Sequence, residues 1–343
     1  MKWRSSTTET HNQVAHVATL REAGLRHARC YLAVLQAADR RFVHGGDGVQ
    51  AIVAWLDQEW TNIVLAQRWV QARMPHEEDA ARLCSRFADA GRQVIAFRLT
   101  PLERVEWLHA ARAGASRCGD RRAEIVHLGN LASAYTRLGQ PERAIELLEM
   151  RMHLAQAAGD AEAENRAVGN LGAAYFALGD VQKAVELFER RVEISRAAGD
   201  RVSEGRMLGN LGAAYRRLRQ FDRAQEYMQR NLDLSREIGD RLGEAQAIGN
   251  LAVLERNLGN PHRTIELLED RIQAARGLGD RRGEAIALFN ASLACRDLGE
   301  TESARANAEA ARLIFNEIGD VNADRVQRSL QEWGTDRSSR CDA

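Results

Sequence analysis

Five asparagines stand at one spacing: Asn130, Asn170, Asn210, Asn250 and Asn290, each forty residues from the next. A primary amide offers donors and an acceptor together, so a row of them grips the backbone of an extended chain without reading its side chains. On a helix, the positions four before, three after and seven after each Asn share its face. That face brings in Arg137, Arg166, Arg206, Arg217, Gln246 and Asn257. A guanidinium pairs bidentately with a carboxylate, so Arg166, Arg206 and Arg217 point to an acidic or C-terminal peptide segment. The competing reading is structural, with the recurring Asn bonded to a neighbouring helix to hold a stack.

Other chemistry is not gathered. The nine histidines form neither H-x-x-x-H nor H-E-x-x-H, and no cysteine pair has zinc spacing. Cys118 and His127 fall nine residues apart across a turn, too little for a metal site. No G-x-S-x-G elbow and no G-x-x-x-x-G-K-[ST] loop occurs. Gly45-Gly46-Asp47-Gly48 lacks the phosphate-binding lysine and reads as a plain loop. The many glutamates read as exposed ion-pair partners. The Arg-rich stretches at Arg190, Arg191, Arg216 and Arg217 read as solvated surface. No catalytic residue, metal or cofactor is expected, and the function expected is binding rather than catalysis.

Composition narrows the partner. Forty-eight basic residues balance forty-eight acidic ones, and no long basic block appears, so neither nucleic acid nor an anionic membrane is the expected partner. No apolar stretch approaches the ~18 residues of a membrane span. The opening MKWRSSTTETHNQ is polar and leads into no apolar leader core. Five scattered cysteines fit a reduced, cytoplasmic protein.

The elements that would position the asparagines are helices in pairs. Gly-Asp recurs at 119–120, 159–160, 199–200, 239–240, 279–280 and 319–320. Leu-Gly recurs at 138–139, 178–179, 258–259 and 298–299, with Leu218-Arg219 as the departure. Asp caps a helix N-terminus, because its carboxylate accepts a backbone N–H left free there. Gly closes a helix in the left-handed conformation. Within one period the pattern predicts helices over 161–177 and 181–197, with Val181, Ala184, Val185, Phe188 and Val192 on the apolar stripe. Ala144, Ala184, Ala224 and Ala304 share a register, Thr264 standing in once. Gly129, Gly169, Gly209 and Gly249 sit inside helices, where each costs about 1 kcal/mol relative to Ala, so close helix packing is their expected reason. Two longer helical patterns lie upstream at 14–41 and 48–73, with Trp55, Trp60 and Trp69 expected in the core.

The stretch AVGNLGAAYFALGDVQKAVELFERRVEISRAAGD (167–200) resembles a tetratricopeptide repeat, with Leu171, Gly172, Tyr175, Ala184 and Phe188 at the motif positions. The usual period is about 34 residues; the longer one here, with its GNLG and GD signatures, is similar to Pins-type polarity scaffolds and kinesin light chains. It also resembles the sensor regions of bacterial NB-ARC or STAND signalling ATPases, and AIVAWLDQEWTNIVLAQRWVQARM (51–74) is similar to the helix that precedes repeats in them. The resemblance implies an all-α, right-handed superhelical solenoid of antiparallel helix pairs whose first helices line a concave groove, with an N-terminal helical extension.

The expected organisation is a disordered start (1–13), an N-terminal helical segment (14–77), six helix pairs (78–320), a capping helix (321–333) and a flexible tail (334–343). The first pair would join a helix over 78–97 to one beginning at 100. The function expected is a bacterial protein- or peptide-binding scaffold or sensor. The alternatives are a regulatory domain acting with a STAND-type ATPase or transcriptional regulator, and a peptide-pheromone receptor. The sequence leaves the partner and the oligomeric state open.

Overall fold

The computed structural model describes residues 5–44, 49–91, 94–95 and 98–341, and side chains over 19–41, 55–91, 94–95 and 98–333. The described residues form fifteen helices and no strand. They are α1 (Ser5–His44), α2 (Val49–Arg73), α3 (Glu78–Ala90), α4 (Pro101–Arg117), α5 (Arg121–Arg137), α6 (Pro141–Ala158) and α7 (Ala161–Leu178). These are followed by α8 (Val181–Ala197), α9 (Arg201–Arg217), α10 (Phe221–Glu237), α11 (Arg241–Asn257), α12 (Pro261–Leu278), α13 (Arg281–Asp297), α14 (Thr301–Glu317) and α15 (Asn322–Cys341). The protein divides into two compact units, Met1–Leu178 and Gly179–Ala343.

The punctuation works as its chemistry dictates. Asp120, Asp160, Asp180, Asp200, Asp240 and Asp280 each accept the backbone N–H three residues on, at 2.8–3.1 Å. Each intervening glycine takes a positive φ, as at Gly199 (68°) and Gly279 (68°). The backbone then turns back on itself, with the Asp200 N–H donating to the Ser195 carbonyl at 2.9 Å. Where the Leu-Gly motif departs, Arg219 occupies the same left-handed region at φ 60°. A side chain there costs about 1–2 kcal/mol, so turn geometry overrode residue preference at this one position.

Three helix ends differ from expectation by more than a turn. Helix α1 begins at Ser5 rather than 14, because no proline or glycine interrupts 5–13. Helix α15 runs to Cys341 rather than stopping at 333, since the lone Gly334 does not break it. Helix α3 stops at Ala90 rather than 97; Gly91 forms its cap. The loop at Gly45-Gly46-Asp47-Gly48 lies outside the described residues, as do 1–4 and 342–343.

In the first unit, α1, α2 and α3 close one apolar core with Trp107 of α4. Trp60 stacks on Trp107 (centroids 6.2 Å apart), and Phe87 meets Trp107 edge-on at 6.3 Å. Trp55 and Trp69 pack against the same core, as expected of tryptophans at helical spacing. Helix α4 crosses so close to α3 that a Cβ on Gly114 would lie 2.5 Å from the Ala81 carbonyl oxygen.

In the second unit the stack is built from small residues. Ala184, Ala224 and Thr264 are fully buried and Ala304 nearly so; Thr264 satisfies its hydroxyl on the Asn260 carbonyl at 3.0 Å. Larger side chains, Leu268, Phe289 and Phe315 among them, fill the spaces between. In each unit the first helices of successive pairs touch one another directly: α5 with α7 in the first unit, and α9 with α11 and α11 with α13 in the second.

Candidate binding face

The residues of the expected row lie on open helix surface in both units. Asn170, Arg137, Arg166, Arg206, Arg217, Gln246 and Asn257 are exposed or half-buried, and Asn130, Asn210, Asn250 and Asn290 are half-buried. None is sealed from solvent. The side-chain amides of Asn130, Asn170, Asn250 and Asn290 make no hydrogen bond among the described residues. Asn210 reaches only the Met207 sulfur, at 4.0 Å. The expected structural use of the recurring Asn, a bond to the neighbouring helix, is not made by these four.

Other members of the row are occupied. Arg166 is ion-paired with Glu162 on its own helix. Asn257 accepts from Arg216 at 3.1 Å, and Arg137 leans on Ser133 at 3.5 Å.

The first helices of the second unit also carry exposed apolar side chains. Val202, Leu242 and Ile286 are exposed on α9, α11 and α13. Between α11 and α13 lies a cavity of about 440 Å³, lined by Gln246, Gly249, Asn250 and Val253 from α11 and by Arg282, Gly283, Ile286, Ala287 and Asn290 from α13. Leu268 and Arg271 of α12 and the capping Asp280 complete the lining. Three expected residues, Gln246, Asn250 and Asn290, thus share one concavity.

At one register of the second helices, in each unit, stand buried polar residues that sequence reading missed. Arg151, Arg191, Asn231 and Arg271 recur at the forty-residue period and are only 5%, 8%, 5% and 6% exposed. Arg191 is therefore not solvated surface, contrary to expectation. Two of the recurring glycines make room for this register. A Cβ on Gly129 would lie 2.5 Å from the Arg151 guanidinium, and one on Gly209 would lie 2.9 Å from the Asn231 amide. Gly129 and Gly209 are packing positions, as expected, and what they pack against is polar. Burial holds Arg151 below the ordinary arginine pKa, with a smaller contribution from Arg166. The shared period of Arg151, Arg191 and Arg271 was the available signal.

The glutamates also depart from expectation. Glu124, Glu204 and Glu284 are buried rather than exposed. Glu204 accepts from Arg196 at 3.0 Å, Glu244 from Arg236 at 2.8 Å and Glu284 from Arg276 at 2.7 Å. Each bond ties a second helix to the next first helix across the Gly-Asp turn, so these pairs fix the stack.

One buried constellation in the first unit has nucleophilic residue types. His127 Nε2 lies 3.0 Å from the Ser85 hydroxyl and 3.9 Å from Asp89, while its Nδ1 has no partner. A working triad places nucleophile and carboxylate on opposite ring nitrogens; here both approach the same one. Burial lowers the His127 pKa, opposed in part by Asp89. Cys118 donates to the Glu78 carbonyl at 3.7 Å. Burial pushes the Cys84 thiol up to about 12, far from a thiolate nucleophile. Among the described residues no three His, Cys, Asp or Glu side chains gather as metal ligands, and no helix is long and apolar enough to cross a membrane.

The tetratricopeptide repeat family models match residues 128–162, 159–237 and 203–277. Residues 128–277 are tetratricopeptide repeats. The period is forty residues in place of the usual ~34, which lengthens both helices of the pair. Solved structures with a similar fold include BtubC (BKLC) from P. vanneervenii, at 19% identity over 64% of this chain and 93% of that one, with a TM-score of 0.53. A signal transduction ATPase with numerous domains and a tetratricopeptide repeat sensor, from Pyrococcus horikoshii, matches at 18% identity over 93% of this chain and 54% of its own, with a TM-score of 0.55. A Rap protein complexed with Competence and Sporulation Factor matches at 11% identity over 92% and 99%, with a TM-score of 0.56. At these identities the likeness shows the fold. No curated protein matches the sequence.

Proposed function

We propose that this tetratricopeptide protein binds an extended peptide segment of a partner protein along the open face of α9, α11 and α13, and performs no reaction on it. The observation that carries this reading is the pair of unpartnered amides, Asn250 and Asn290, flanking one cavity on two first helices that touch. An unpaired, accessible amide on a repeat surface is a ready backbone clamp. Packed helices stand about 8–10 Å apart and an extended strand advances about 3.3 Å per residue, so one amide meets the guest about every three residues. Val253 and Ile286 offer apolar contact beside the amides. The bacterial, cytoplasmic setting expected from sequence fits such a role. A sensor acting with a signalling ATPase would use the same face and differ in what the bound segment controls.

The test is retention of a pooled library of N-acetylated heptapeptides by the purified full-length protein, read by mass spectrometry. Asn250→Ala with Asn290→Ala is expected to weaken the retained peptides about tenfold, near 1.4 kcal/mol, while Glu266→Ala on α12 leaves them unchanged. A wild-type protein that retains no peptide, or a double variant that retains them equally well, rejects the reading.

A further inference from the structure

Gly139, Gly179, Gly259 and Gly299 hold the turns within their helix pairs at positive φ, and Arg219 holds the same turn between α9 and α10 at φ 60°. Among the described residues it is the only one other than glycine in that region, where a side chain is disfavoured. Residues strained in this way concentrate at ligand clamps and switches. The Arg219 guanidinium lies over the Phe221 ring, 5.8 Å from its centroid, and that of Arg223 lies over the Tyr215 ring at 5.4 Å. Neither is ion-paired with a carboxylate among the described residues. Lys183 and Arg263, at the register of Arg223 in α8 and α12, are paired with Glu186 and Glu266. Glu226, the equivalent acid of α10, instead approaches Arg230 at 3.6 Å.

We infer that the turn from α9 to α10 is a separate docking point, one that takes an acidic segment of a partner protein. Arg219 and Arg223 share an open cavity of about 430 Å³ with Gln220, Phe221, Asp222 and, from the turn of the next pair, Leu258. Two guanidiniums without carboxylate partners outweigh Asp222 there, so the hollow favours negative charge. Leu258 is 42% exposed and Phe221 half-buried, which sets apolar surface beside the cations. The guest that fits carries Asp or Glu next to an apolar side chain. Nucleic acid fits less well. The chain has forty-eight residues of each charge and no long basic block, whereas a phosphate backbone calls for a continuous basic face. The cavity shares no residue with the one that Asn250 and Asn290 flank, so this docking point does not rest on the open face.

The variant that isolates the claim is Arg219→Gly, because it installs the residue that the neighbouring turns use. The probe is a fluorescent nonapeptide, N-acetylated and C-terminally amidated, in which Glu alternates with Leu. Beside it are set its Gln-for-Glu copy and a single-stranded oligonucleotide, each titrated with the purified full-length protein and read by anisotropy. The Glu peptide is expected to bind in preference to both. Arg219→Gly is expected to weaken it about tenfold while raising the unfolding midpoint, and Arg223→Gln to weaken it with the midpoint held. Asn250→Ala with Asn290→Ala is expected to leave it unchanged. A substitution that loses binding and gains stability does not act by misfolding. Equal binding of the Gln copy, binding unmoved by Arg219→Gly, or a lowered midpoint in that variant overturns the docking point. An oligonucleotide bound in preference and lost on Arg219→Gly overturns the choice of a protein partner. Loss only in the double Asn variant overturns the assignment to this turn and moves the peptide to the open face.

Discussion

The junction of α3, α4 and α5 and the open face of α9, α11 and α13 are built on one helix-pair plan and end in opposite states. At the junction, Trp107, Phe87 and Trp60 close the space between helices, and Gly114 lets α4 ride against the α3 backbone. His127 is sealed between them on Ser85. On the open face Gly249, Ala287 and the Asn250 and Asn290 amides do not fill the space between the first helices, and a cavity remains. What decides between closure and opening is the set of side chains on a common backbone. Aromatics fill the gap in the first unit; Ala, Gly and Asn leave it in the second.

The largest expected effect follows from the tightest contact with a backbone atom. Gly114→Ala places a methyl against the Ala81 backbone oxygen, which cannot swing aside, so the expected cost is about 1–3 kcal/mol of stability, read as a lowered denaturation midpoint. An unchanged midpoint would mean the two helices are not in contact there. The matching change on the open-face helices, Gly249→Ala, puts the new methyl 3.8 Å from Arg271, an ordinary contact. It is expected to stabilise slightly, by about 0.5–1 kcal/mol from helix propensity, and a loss instead would show that the second unit is as tightly closed as the first.

Between these lies a pH effect. Burial lowers the folded pKa of His127, so the unfolded state binds its proton more readily. Stability from this group is present above the unfolded histidine pKa of about 6.5 and is lost as pH falls below it. The denaturation midpoint is expected to drop from pH 7.5 toward about pH 5.5, and His127→Gln to flatten that drop. A slope unchanged by the substitution would place the titration elsewhere.

Much of the fold was legible because it rests on local chemistry repeated many times. Asp caps and left-handed glycines act within a few residues, so the forty-residue period located nearly every helix end between 117 and 322. The row around Asn250 was legible because helical periodicity fixes which positions share a face. The buried arginines were not, because Arg271 is hidden by Gly249 and Gly283 on other helices, and charge alone argues for solvent. The Ser85–His127 contact was invisible for the same reason: it joins residues from separate helices with no shared period.

Site-specific photocrosslinking tests the central claim most directly. A benzophenone side chain placed at Val253 or Leu293, on the open face, is compared with one at Glu226 or Glu266 on the second helices, using a peptide retained from the library. The account predicts adducts from Val253 and Leu293 and none from the second helices. Adducts from Glu226 or Glu266, with Val253 and Leu293 silent, would contradict it.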